Sequence, residues 1–303
     1  MEKSRENDRL KSLANGAGKL VGTAADKAKS LATNAKQSVV EVIDQNGNGE
    51  IDIEDIIILG MKTPGIRVNR SQFLRKEFAK NHTQDVLDDA VANTPIHAGI
   101  SLAEIDKAAD EVIKFERTCV SGISAALGAP GGVAMAATIP ADITQYYGYM
   151  LRTAQKLLYL YGFPEIGARE EGQPLDTETM NILIVCLGVM YGVAGANNAL
   201  KAMAKALAAG VEKKLLKAAL TKGTIYPVVK SVAKWFNVKM TKEIFAGFFK
   251  KSIPVVGGVI GGGITFVSFK PCCDRLKNEL RETRLCNPEA QDEFDLSENQ
   301  IET

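Results

Sequence analysis

The chain has 303 residues, 46% of them hydrophobic, with 37 basic against 36 acidic side chains and a formal net charge of +1. That length can bury one large core or two modest ones, and the near-neutral balance excludes a wholesale nucleic-acid footprint. Five cysteines without repeated metal spacing, and an N-terminus without an apolar run, predict small buried thiols in a reducing cytosol rather than a disulfide framework.

Residues 8–43 are predicted as one weakly amphipathic helix. Leu10, Leu13, Ala17, Val21, Ala24, Ala28, Ala32, Ala35, Val39 and Ile43 recur at 3-4-4 spacing, an eleven-residue repeat of about 3.67 residues per turn. The apolar face is mostly alanine and the remainder carries lysines. That composition suits a membrane surface, and equally a polar helix docked on the body.

The next twelve residues, 44–55, read Asp-Gln-Asn-Gly-Asn-Gly-Glu-Ile-Asp-Ile-Glu-Asp. They resemble an EF-hand calcium loop. Asp44, Asn46, Asn48, Asp52 and Asp55 fall at loop positions 1, 3, 5, 9 and 12, Gly49 at the sharp turn, and Ile51 at the aliphatic position. Glu50, at position 7, would offer its backbone carbonyl. The departure is Asp55, one methylene shorter than the usual glutamate, so it binds through one oxygen or through water. With three charged ligands the expected affinity is weak, about 10⁻⁴ to 10⁻³ M. The alternative is an Asn/Gly/Asp turn that binds nothing. A single loop of this kind favours a structural or low-affinity site over a sensor.

A short exit helix from Ile53 to Met61 is stopped by Thr63-Pro64-Gly65. Residues 66–100 are helical in part, with Phe73, Leu74 and Phe78 on one face. Ser101-Leu102-Ala103-Glu104 opens a helix over about 102–117, along which lie Ile105, Ala109, Val112, Ile113 and Glu116. Residues 118–139 then carry no charge, and Ala129-Pro130-Gly131-Gly132 is predicted to divide them into two short helices, each below the ~20 residues a bilayer span requires. Pro140 and Asp142 predict a new helix start running to Tyr161. Met180–Leu200 is again uncharged, followed by lysine-rich helices over 201–222 and 228–251. In 253–269 the pairs Gly257/Gly261 and Gly258/Gly262 stand four apart, a small-xxx-small spacing that lets helices approach closely. A charged helix, 274–284, closes the fold, and the acidic tail 287–303 is predicted to be disordered.

No alternating stretch is long enough for a sheet, so the fold class is all-α: a multi-helix bundle with glycine-rich apolar hairpins. The organisation predicted is 1–65 for the helix and calcium-like loop, 66–286 for the helical domain, and 287–303 for the tail. Within the second segment, Leu127-Gly128-Ala129-Pro130-Gly131-Gly132, Ile139-Pro140-Ala141-Asp142, Tyr161-Gly162-Phe163 and Ile253-Pro254-Val255-Val256-Gly257-Gly258 occur in an order that resembles the bacterial EcsC family over roughly 85–285. The resemblance implies a bacterial, largely helical, membrane-associated protein and carries no catalytic residues across.

The chemistry is sparse. His82 and His97 have no metal spacing, and neither a Gly-x-Ser-x-Gly elbow nor a Walker-type phosphate loop occurs. The chain therefore reads as non-catalytic. Asp142 and Arg152, ten residues apart, cannot touch on one helix. Asp142 serves a helix start, and Arg152 pairs with a carboxylate on another helix or meets a lipid phosphate. Tyr146, Tyr147, Tyr149, Tyr159 and Tyr161 form either an interfacial belt or core with bonded hydroxyls. The resulting expectation is a membrane-associated accessory protein on the cytoplasmic face, binding anionic lipid or a membrane protein and holding calcium weakly. A pore-forming effector and a soluble scaffold are the alternatives.

Overall fold

The computed structural model describes residues 40, 43–45, 47–128, 134–166, 175–210, 218–251, 257–283 and 285–286, leaving aside the side chains of 125–128, 134–143, 239–251 and 257–264. Within them the protein is helical and holds no strand, as the periodicity predicts. Most of the 8–43 helix and the whole 287–303 tail lie outside the described residues.

The helices in chain order are α1 (Ile53–Lys62), α2 (Arg70–Phe78), α3 (Gln84–Ala92), α4 (Leu102–Gly128), α5 (Ala134–Leu160), α6 (Thr177–Tyr191), α7 (Ala196–Ala208), α8 (Tyr226–Lys251) and α9 (Gly257–Arg281). Their starts follow local capping chemistry. Asp176 accepts a hydrogen bond from Thr179 N at 2.8 Å and caps α6; Asn69 accepts from Gln72 N at 2.8 Å and caps α2. Gly192, at φ 69°, ends α6 in a left-handed conformation that glycine adopts without a Cβ penalty.

Three boundaries differ from expectation. α4 runs unbroken to Gly128, so the uncharged segment continues the charged helix instead of forming a separate short one. Once a helix is nucleated, each added residue gains a bond at little cost, and loss of charge does not stop it. α5 begins at Ala134, six residues before Pro140, and contains both Pro140 and Asp142. Asp142 therefore does not serve the helix start. α9 joins the glycine-rich segment to the charged one through Pro271. Pro271, having no N–H, leaves the Val267 carbonyl without its helical donor.

α4, α5 and α9 form the largest packed unit. Along α4 and α9, Asp106 meets Arg281 at 2.8 Å and Asp110 meets Lys277 at 2.7 Å, while the Arg117 guanidinium covers the Phe266 ring at 4.0 Å. One number rises as the other falls, so the two helices are antiparallel. α5 is antiparallel to α4 likewise: Tyr161 donates to Asp106 at 2.7 Å, and Lys156 reaches Glu116 at 2.6 Å.

α6 is buried nearly all round, from Thr179 to Met190, as befits a helix without a polar face. α1 crosses α5 at paired glycines: a Cβ on Gly60 would lie 3.4 Å from Gly148 Cα and 3.0 Å from Leu151 Cδ1. Beside that crossing, buried Gln155 donates to the Ile66 and Leu151 carbonyls and accepts from Val68 N, each at 3.1 Å. These bonds tie the segment after α1 to the centre of the bundle.

Candidate cation loop and buried charge cluster

Asp44 N–H donates to Val40 O at 2.8 Å, so a helical turn leads into the loop. Ile43, fully buried, anchors that turn. The Asp44 carboxylate then gathers the loop around itself, accepting from Gly47 N at 2.6 Å and from Gly49 N at 2.8 Å. Gly47 and Gly49 stand at φ 75° and 80°, where a side chain is strained. Asn48 Oδ1 accepts from Glu50 N at 2.8 Å, and Asn48 Nδ2 donates to Asp52 at 3.3 Å.

Asp52 caps α1 in a reciprocal box. It accepts from Asp55 N at 2.9 Å, while Asp55 accepts from Asp52 N at 3.1 Å. The other Asp55 oxygen accepts from Gln45 N at 2.9 Å, so one carboxylate closes the end of the loop onto its beginning. Asp55 is fully buried, and burial, with Asp52 alongside, raises its carboxyl above the ordinary 3.8 despite two backbone donors. Ile51 and Ile53 pack into the core, and Ile53 N donates to Asn237 on α8 at 3.1 Å.

The donor set fits a weak oxygen-ligated cation in part. The turn glycine, the buried aliphatic Ile51 and the contact of Asn48 with Asp52 beside the Asp44 turn favour it. Against tight binding, Asp55 is short, and both it and Asp44 already accept from two backbone N–H groups each. Among the described residues no three His, Cys, Asp or Glu side chains make a metal-holding group. A cation here would share the Asp44 carboxylate with its N–H donors and draw also on Asn48, Asp52, the Glu50 carbonyl and Asn46, the last lying outside the described residues. The Glu50 residue is exposed.

A second charged site sits between α4 and α5. Glu116 is fully buried, with Lys156 Nζ at 2.6 Å and Arg152 Nε at 3.2 Å from the same oxygen. Its other oxygen is buried and has no hydrogen-bond partner, as is true of Arg117 Nε and Ser121 Oγ nearby in sequence. Lys156 also lies over the Phe73 and Phe115 rings, at 5.5 and 5.9 Å. Arg152 thus pairs with a carboxylate on another helix. Sequence reasoning left that partner unnamed, although Glu116 sits on the apolar face with Val112 and Ile113, which is the signal for a buried acid. The Asp142 side chain lies outside the described residues.

Gly257, Gly258, Gly261 and Gly262 all fall within α9, which packs on α4, and their own contacts lie outside the description. Described close approaches occur instead at Gly60, Gly148 and Gly188. Tyr147, Tyr159 and Tyr161 belong to the core, and Tyr146 and Tyr149 are half-buried against it. Tyr159 and Tyr161 are buried with hydroxyls bonded to Ile166 and Asp106, and Tyr146 meets Ser268 at 3.3 Å. Burial pushes the Tyr146 hydroxyl up to about 12.

Burial pushes the Cys186 and Cys286 thiols up to about 12 and Cys273 well above its ordinary value, which disfavours thiolate. His82 lies 3.0 Å from Glu104 and His97 3.2 Å from Asp89, two separate local pairs. Comparison of the chain with protein-family models, curated proteins and solved structures finds no match. The EcsC resemblance thus rests on the sequence segments alone.

Proposed function

We propose that this is a non-catalytic helical accessory protein of membranes, whose 44–55 loop takes calcium weakly and thereby fixes the entering helix to the helical body. The observation that carries the loop reading is its closure. Asp44 collects two loop N–H groups at the rim, and Asp55 bonds Gln45 from beneath. A cation between rim and floor would neutralise the crowded Asp52 and Asp55 carboxylates and lock residues 40–44 against α1. Because Ile53, Ile56 and Ile57 are fully buried, that lock would be transmitted to the core. Anionic lipid or a membrane protein is the partner, reached through the apolar helix ends and the cations beside them.

The test is calorimetric titration of the purified chain with calcium, paired with co-sedimentation on phosphatidylcholine vesicles with and without phosphatidylglycerol. Sub-millimolar to millimolar calcium binding that Asp44→Ala abolishes is expected, together with binding to the anionic vesicles. Calcium binding unchanged by Asp44→Ala would refute the loop. Absence of vesicle binding would leave a soluble scaffold, and dye leakage would favour a pore-forming effector.

A further inference from the structure

The antiparallel ladder on α4 and α9 fixes which helix ends lie together. Asp106 pairs with Arg281, Asp110 with Lys277, and Arg117 covers Phe266, so the last turns of α4 lie alongside the first turns of α9. The Glu116–Lys156 and Tyr161–Asp106 bonds bring the first turns of α5 to the same end. In sequence these three ends are almost free of charge. None of 118–128 on α4 or 257–269 on α9 is Asp, Glu, Lys or Arg, and Asp142 is the one such residue between 134 and 151 on α5.

We infer that this end of the α4–α5–α9 unit dips into one leaflet of a lipid bilayer. The inference rests on the membrane-association reading and names the part of the chain that meets lipid. Length decides the depth. Eleven helical residues, 118–128, extend about 16 Å at 1.5 Å each, which matches half of a ~30 Å hydrocarbon core. The ends are long enough to reach the midplane and too short to cross, and no described helix is long and apolar enough to span a membrane.

The boundary carries the expected chemistry. Phe115, Phe266 and Val267, at 59%, 43% and 71% exposure, are three of the four exposed large apolar side chains among the described residues, and all stand where the charge-free ends begin. Lys114, Arg117 and Lys270 flank them. Lys270 is held by Asp274 at 2.6 Å. Arg117 lays its guanidinium on Phe266, and its buried Nε has no hydrogen-bond partner. Long cationic side chains whose stems cover apolar surface place their heads at phosphate level. A second copy of the chain would need this apolar end to meet itself, and the cations around it oppose that, whereas lipid phosphates complement them.

The experiment is co-sedimentation of the full chain with phosphatidylcholine–phosphatidylglycerol vesicles, comparing wild type, Val267→Glu, Asp142→Asn and Val238→Glu. Val238, the fourth exposed apolar residue at 54%, lies on α8, outside the three helices of this unit, and serves as the control. Val267→Glu is expected to weaken partitioning at least about tenfold, as a charge in hydrocarbon requires. Asp142→Asn should strengthen it, and Val238→Glu should leave it unchanged. Thermal melts check that each variant folds. If Val267→Glu and Val238→Glu both bind as wild type does, the protein attaches elsewhere and the dipping end is overturned while membrane association stands. If wild type binds no vesicle, both fail. If light scattering shows a vesicle-free oligomer that Val267→Glu dissociates, the end is a self-association surface and the inference is overturned.

Discussion

Replacing Glu116 by Gln removes one negative charge from a site holding two cations. Glu116 is fully buried, and the Lys156 and Arg152 side chains retain 12% and 28% of their exposure. Breaking a buried pair by deleting one partner costs about 3–5 kcal/mol, because the charge left behind stays desolvated. Lys156 bears most of that penalty. Arg152 can turn toward solvent, and the Glu116 oxygen that already lacks a partner loses nothing. The expected destabilisation is therefore about 3 kcal/mol, at the lower end of that range. For a chain of 303 residues, at about 2.1 cal/mol/K of unfolding entropy per residue, it corresponds to a fall in Tm of roughly 5 °C. Urea unfolding of wild type, Glu116→Gln, Lys156→Met and the double variant measures it as a cycle. The double variant should lose less than the sum of the singles, since removing Lys156 removes the stranded charge. A Glu116→Gln stability within about 0.5 kcal/mol of wild type, the range of surface changes, would refute the reasoning.

Other consequences follow from neighbouring features. Arg70 is buried and donates to the carbonyls of Ala90, Val91, Asn93 and Phe163, so Arg70→Lys, which keeps the charge and loses the planar fork, should cost about 2 kcal/mol by chemical denaturation. Gly188→Ala would set a Cβ 2.8 Å from Val232 Cγ1 and 2.9 Å from Ala196 Cβ. A loss of about 1–3 kcal/mol is expected from that overpacking, and adding Val232→Ala should recover part of it in the same assay. The Asp55 carboxyl is raised above 3.8 by burial, so its contribution to stability is complete below 3.8 and is lost as pH rises through the folded value. Calcium requires the ionised form, so its affinity should begin to fall at a pH above 3.8 as the solution is acidified. Calorimetric titrations at descending pH test this, and a pH profile unchanged by Asp55→Asn would contradict it.

Much of the fold was legible because it follows helical periodicity and local capping. The Thr63-Pro64-Gly65 stop, the Ser101 start and the apolar face of Phe73, Leu74 and Phe78 all fall where the spacing puts them. The boundaries at 118, 140 and 270 were misread for one shared reason. Changes in charge and the presence of proline were treated as helix ends, whereas α4, α5 and α9 continue through them. Local sequence reports the cost of continuing a helix. It does not report the packing that offsets that cost, and α4 against α9 is the most extensive packing among the described helices.

The same distinction explains the candidate sites. The loop was visible because its ligands lie within twelve consecutive residues and its turns demand glycine at 47 and 49. The Glu116 cluster needed a residue on α4 and two on α5, forty and thirty-six positions apart, and no local spacing encodes that pairing. A buried acid on an apolar helical face nevertheless implies a cation somewhere opposite, because a carboxylate without one would be driven to its neutral form. Arg152, set among apolar and aromatic neighbours, implies the converse. Two unexplained opposite charges on apolar faces of consecutive helices are best matched to each other before either is assigned to a ligand, and by that logic Arg152 is occupied. On the membrane reading proposed above, phosphate contact would then fall to Lys114 and Arg117, which stand midway along α4, exposed or over Phe266, and outside the ladder.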